Sequence, residues 1–272
     1  MTQRALFEEL IQTKPNLIVD VLRMDVLEDT HTVYFSIDME LCTMDLASLL
    51  EEPNESFNGE RNAWRIMSDI ANAVQFVHGR GMIIGDLTPN RGNTTYSRWR
   101  KYLTSLVLYS PRQQFEAMWK LGDISTVMSR GPSDMFGFLR EDEVGTEGYR
   151  APEIINNSHF NRKADIWALG CILYQILSYK LKFETDYHVT VYSDEYPRKV
   201  PADIVPLESF VDLESFDWRV RGLILPVVHQ MFAVVPDQRP EAKELLDVVF
   251  RKFAEAGLGP DVHVERQGKA CQ

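Results

Sequence analysis

Paired cysteines, a membrane-length apolar run and a basic surface are all missing from this 272-residue chain. Its three cysteines, Cys42, Cys171 and Cys271, are scattered, with no Cys-x-x-Cys pair and no metal-ligand spacing. That usage fits a reducing, intracellular compartment, cytoplasmic or nuclear. The longest apolar stretch, Leu223–Val235, is too short to span a bilayer and carries His229 and Gln230, so it is expected to be a buried helix rather than an anchor. Met1–Glu9 is polar and acidic and does not form a secretory signal. The net charge of −11 argues against a general nucleic-acid-binding surface, although a local phosphate site stays open. Neither a nucleic acid nor a membrane is therefore an expected partner.

What is present is ordinary globular composition, 44% hydrophobic and 25% charged, enough to bury a sizeable core. Residues 2–13 are predicted to be helical, ended by Lys14-Pro15-Asn16 because proline cannot continue a helix. Leu17–Leu27 and His31–Leu41 are predicted strands of a hairpin, with Val33, Phe35 and Ile37 alternating with Tyr34 and Ser36. From Met44 the chain is predicted to turn helical. Arg61–His78 places apolar residues at helical spacing. Lys163–Tyr179 is apolar all round and so is expected to be buried on every side. Phe216–Val234 and Pro240–Phe253 complete the helical set, with Pro240 suited to a first turn. Long loops at 79–123 and 124–150 separate these elements, and loops of that length are usually functional or disordered. Two short strands followed by a mainly helical domain is an α+β arrangement.

The loops carry motifs. Gly145-Thr146-Glu147-Gly148-Tyr149-Arg150-Ala151-Pro152-Glu153 resembles the end of the activation segment of eukaryotic protein kinases, in its serine/threonine form. Asp165-Ile166-Trp167-Ala168-Leu169-Gly170 resembles the start of that family's central buried helix. Asp237-Gln238-Arg239-Pro240 supplies the Arg that the resemblance pairs with Glu153. The likeness covers roughly residues 17–253 and is similar to a fungal branch of the family. It implies a kinase-like α+β fold with a partial small lobe at 1–41, a large helical lobe at 42–254 and a disordered tail at 255–272.

The same resemblance implies ATP and Mg2+ as cofactors and a protein as substrate or partner. Met39 would be the gatekeeper, with the Glu40 carbonyl and the Cys42 amide facing adenine. Asp86 stands where the catalytic aspartate belongs, in Gly81-Met82-Ile83-Ile84-Gly85-Asp86-Leu87-Thr88-Pro89. Asp123, in Leu121-Gly122-Asp123-Ile124-Ser125, would hold magnesium, with Asn90 a second candidate ligand although it is not at the family's offset from Asp86. Glu153, Asp165 and Arg239 would be structural.

Departures from the pattern concentrate on phosphate handling. Ile84 replaces the family's His and Gly85 the Arg that would anchor a phosphorylated activation segment. Thr88 replaces the Lys that would meet the γ-phosphate. Asp86 and Asp123 are 37 positions apart, about twice the family's separation. The excess falls near 90–105, a basic and aromatic stretch read either as a binding insert or, in preference, as translated intron. No glycine-rich loop and no strand bearing Val-Ala-x-Lys precedes the hairpin. Two functions remain: a serine/threonine kinase whose sequence here is incomplete, or an inactive pseudokinase serving as an interaction module. Since positioning and electrostatics carry phosphoryl transfer, the expectation is impaired activity.

Overall fold

A helix with no polar face has to be surrounded by protein. In the computed structural model, which describes residues 17–29, 32–51, 60–89, 107–110, 118–122, 128–129, 144–156, 159–178, 180–195 and 226–247, the segment Lys163–Ser178 is such a helix. Every residue of it except Gln175 is buried. The Asn161 side chain starts it by accepting the Lys163 amide at 2.8 Å. Trp167 lies at its centre, stacked on Phe183 at 5.5 Å between ring centroids and meeting Phe232 edge-on at 5.2 Å.

Strands β1 (Val21–Asp29) and β2 (Thr32–Met39) form the predicted hairpin, paired antiparallel with Val26 opposite Phe35. Strand β3 (Met44–Asp45) leads into helix α1 (Leu46–Glu51), whose first turn is held by Asp45 accepting the Ser48 amide at 2.7 Å. Helix α2 (Glu60–His78) follows. It buries Met67, Ile70, Ala71, Val74 and Val77 of the stripe its spacing predicts, with Ile66 and Ala73 buried beside them. Strand β4 (Met82–Ile83) pairs with β7 (Met128–Ser129), while β5 (Val107–Ser110) lies between β3 and β6 (Met118–Leu121). Helix α3 (Pro152–Ile155), helix α4 (Lys163–Ser178) and helix α5 (Asp186–Glu195) precede the helical stretch 226–231 and helix α6 (Ala242–Leu245). Helix α2 packs on α4, α6 and β6, so one core joins the helices to the small sheet.

Three local expectations shift. The predicted strand Leu17–Leu27 divides: Ile18 bridges in parallel to Leu121, and β1 begins only at Val21. Two backbone bonds of 2.9 Å, Val19 to the Leu121 carbonyl and Leu121 to the Leu17 carbonyl, make that junction. Met44 is extended rather than helical, because β5 offers it a partner at Tyr109. Pro240 precedes α6 instead of opening it. Glu241 is the N-cap there, with a capping box in which Glu244 accepts the Glu241 amide at 2.7 Å. The predicted helix at 2–13, the stretch 90–105 and the tail 255–272 lie outside the described residues.

Candidate active site

The loop that carries Asp86 is shaped from below. Asp165, 2% exposed in the first turn of α4, accepts the Ile84 amide at 2.9 Å, the Gly85 amide at 2.9 Å and His78 Nε2 at 2.8 Å. A buried carboxylate is tolerable only with such a set of donors. Gly85 sits at φ +81°, a left-handed conformation that disfavours a side chain and suits the glycine found there. The turn delivers Asp86 half-exposed, and Thr146 Oγ1 donates to its Oδ1 at 2.7 Å.

Thr88, two residues on, faces the other way. It is 2% exposed, and its hydroxyl hydrogen-bonds the Tyr149 phenol. Tyr149 in turn donates to Gln175 Oε1 at 2.5 Å, and burial raises its phenol well above the ordinary range. Thr88 is thus committed to the interior.

Glu40 sits where β2 ends. Its amide donates to the Asp20 carbonyl at 2.9 Å, and its carboxylate accepts the Asp20 amide at 2.9 Å. The same carboxylate pairs with Lys120 of β6, whose side chain is 1% exposed. Cys42 Sγ lies 3.9 Å from the Glu40 carbonyl, and Leu41 between them is 87% exposed. Burial, with help from the Glu40 charge, pushes the Cys42 thiol up to about 11. Met39 ends β2 and is half-buried.

Of the residues singled out from sequence, Asp86 and Asp165 are brought together through the Ile84–Gly85 backbone. Glu153 meets Arg239 through two bonds, 2.7 and 2.8 Å long. Met39, Glu40 and Cys42 lie together on the strand exit. Asp123 and Asn90 lie outside the described residues, one residue past Gly122 and one past Pro89. Among the described residues no three His, Cys, Asp or Glu side chains cluster to hold a metal ion, and no helix is long and apolar enough to cross a membrane.

Sequence reasoning missed Lys120, Thr146, Arg150 and Asp186. Arg150 donates through Nη1 to Asp186 at 2.7 Å, and Thr146 touches Asp86, so both belong to the neighbourhood of the site. Thr146 was readable as part of the Gly-Thr signature. Arg150 stands in the same run without a role of its own there, and Lys120 and Asp186 carry no signal until the fold places them.

A profile of the protein kinase domain matches residues 9–250. The chain belongs to the protein kinase family. Its α+β architecture of few strands and a large helical lobe is that of a protein kinase domain. Serine/threonine-protein kinase Nek5 of Mus musculus is 33% identical over 147 residues, covering 54% of this chain and 20% of Nek5. Serine/threonine-protein kinase PKZ1 of Phytophthora infestans is 30% identical over 128 residues, 47% of this chain and 30% of PKZ1. Serine/threonine-protein kinase Nek9 of Mus musculus is 24% identical over 214 residues, 78% of this chain and 18% of Nek9. This kinase-family chain therefore spans less than a third of the length of these relatives.

Proposed function

We propose that residues 1–272 form a serine/threonine-kinase-like domain that engages a protein partner and whose own phosphoryl transfer is impaired. The observation that carries this reading is Thr88: neutral, 2% exposed and bonded to Tyr149, it offers no positive charge beside Asp86. Phosphoryl transfer depends on neutralising and positioning phosphate oxygens, so losing one such cation costs several powers of ten in rate.

ATP with Mg2+ is the family's cofactor, and the residues here fit only one end of it. On the adenine side, the Glu40 carbonyl and the Cys42 amide lie at a strand exit braced by Asp20 and Lys120, which suits a base held by backbone groups. On the phosphate side, Thr88 does not fit. Asp86 would orient a substrate hydroxyl, and Asp123, with Asn90 as a second candidate, would hold the metal. Residues 1–41 are assigned to the small lobe and 42–254 to the large one, with 90–105 as an insert. The net charge of −11 supports a protein partner over a nucleic acid.

One geometric feature favours the alternative of an active kinase: Asp86 is already aligned by Thr146 and by the Asp165-bound loop. A single assay separates the two. Purified chain incubated with labelled ATP, Mg2+ and generic protein substrates is expected to transfer no label above background, with Asp86→Ala indistinguishable from it. Robust Mg-ATP-dependent phosphorylation, abolished by Asp86→Ala, would overturn impairment.

A further inference from the structure

The catalytic loop has Gly85 where the family's anchoring Arg would stand, yet residues 144–150 are firmly seated against it. Gly145 lies so close that a Cβ there would come within 3.3 Å of the Gly85 carbonyl oxygen. Something other than an Arg at 85 holds the segment down.

Asp186, in the first turn of α5, makes two contacts with it. Its Oδ1 accepts the Gly148 amide at 3.1 Å and its Oδ2 accepts Arg150 Nη1 at 2.7 Å. Arg150 then reaches back along its own segment, where Nε donates to the Val144 and Gly145 carbonyls at 3.0 Å each. The guanidinium therefore ties both ends of the 144–150 turn to one carboxylate. The pair is largely withdrawn from water, at 16% exposure for the Arg150 side chain and 23% for that of Asp186.

The surroundings admit little slack. Gly148 has φ +80°, and a Cβ on it would fall 2.5 Å from the Phe183 carbonyl oxygen, so the segment lies directly on the loop between α4 and α5. From there Thr146 passes the position on to Asp86. An exposed ion pair alone would be worth little. This one combines a charged pair with a backbone amide and two backbone carbonyls, which converts it into a fixed geometry.

We propose that Asp186 is a positioning residue that, through Arg150 and the Gly148 amide, docks residues 144–150 without an activation-segment phosphate. Phosphorylation commonly orders such segments by creating new Arg–phosphate pairs. Here an internal carboxylate takes that part, so the docked state is constitutive. The inference rests on the kinase fold and holds whether or not the chain transfers phosphate.

Amide hydrogen exchange on the full 272-residue chain tests it. Phosphatase-treated and untreated protein are expected to protect 144–150 equally. Asp186→Ala is expected to speed exchange across 144–150 at least ~10-fold while α4 keeps its protection. Should Asp186→Ala loosen α4 as well, Asp186→Asn carries the test, because it keeps an acceptor for the Gly148 amide and removes only the charge facing Arg150. A smaller rise confined to 144–150, reversed in Asp186→Glu, is the expected result. Loss of protection on phosphatase treatment alone, or wild-type exchange in Asp186→Asn, would overturn the proposal.

Discussion

Arg239 grips Glu153 across the core with two parallel bonds, Nη1 to Oε1 at 2.7 Å and Nη2 to Oε2 at 2.8 Å. The Arg239 side chain is fully buried, and it also donates to the Ala233 carbonyl at 2.7 Å and the Lys163 carbonyl at 2.9 Å. It thereby joins the end of the 144–153 segment, the start of α4 and the turn before α6. Breaking a buried pair by removing one partner strands the other charge, at a cost of about 3–5 kcal/mol. Arg239→Met is accordingly expected to lower stability by that amount in urea denaturation. Arg239→Met with Glu153→Met should recover only part of it, since the Ala233 and Lys163 carbonyls also lose their donor. Full recovery in the double variant would show that the charge, and not the bracing of the backbone, is what matters.

The Glu40–Lys120 pair predicts a different cycle. Lys120 is 1% exposed on β6, and Glu40 also binds the Asp20 amide, so the pair closes the junction between the hairpin and the large lobe. Lys120→Met should cost up to about 3–5 kcal/mol by leaving the half-buried Glu40 carboxylate without its countercharge. Glu40→Gln on that background keeps an acceptor for Asp20 and removes the stranded charge, so it should return most of the loss. The check is a double-mutant cycle by chemical denaturation. An additive cycle would mean the two side chains do not act on each other.

These two pairs mark where sequence reading succeeds and where it stops. Glu153, Asp165 and Arg239 were legible because each sits inside a short run with characteristic neighbours. Helix α4 was legible because it is apolar all round, and α2 because its stripe repeats at helical spacing. Lys120 was not, since a lysine in a short strand reads as solvent-facing. Its partner lies 80 residues away, and the Ile18–Leu121 bridge that joins the two segments is a tertiary fact. Asp186 reads only as an acid in a first helical turn, and its two contacts depend on where the 144–150 turn comes to rest. Met44 and Pro240 were misplaced by a few residues because pairing with β5 and the Glu241 cap override local preference.

Asp69 makes a pH-dependent prediction. It lies buried on α2, where burial pushes its carboxyl up to about 6 against the opposing pull of the Trp119 amide and Arg65. The folded chain then holds this proton more tightly than the unfolded chain, whose carboxyl titrates near the ordinary value of about 4. Stability from this group is therefore greatest below about 4 and is lost as pH rises to about 6. Asp69→Asn removes the titration and keeps an oxygen for the Trp119 amide, which Asp69 accepts at 3.1 Å. The variant should be more stable than wild type at pH ~7.5, by at most about 3 kcal/mol, with the difference shrinking toward zero near pH ~4. Urea melts of both proteins across that range measure it. A constant difference would mean that Asp69 does not titrate between these limits.

Cys42 is the residue of the strand exit whose chemistry can be probed without any assay of activity. A thiol reacts as its thiolate, and burial beside Glu40 has pushed this one up to about 11. Against an ordinary thiol that leaves roughly 100-fold less thiolate near neutral pH. Alkylation of Cys42 by iodoacetamide at pH ~7.5 should be slower than that of glutathione by a comparable factor. Because the Glu40 charge is one of the causes and the Lys120 charge opposes it, Glu40→Gln should speed the reaction and Lys120→Met should slow it. Mass spectrometry of the Cys42 peptide over time gives all three rates. A wild-type rate equal to that of glutathione would mean that the strand exit opens to water on the timescale of labelling, and with it the bracing of the Glu40 carbonyl on which the adenine-side reading depends.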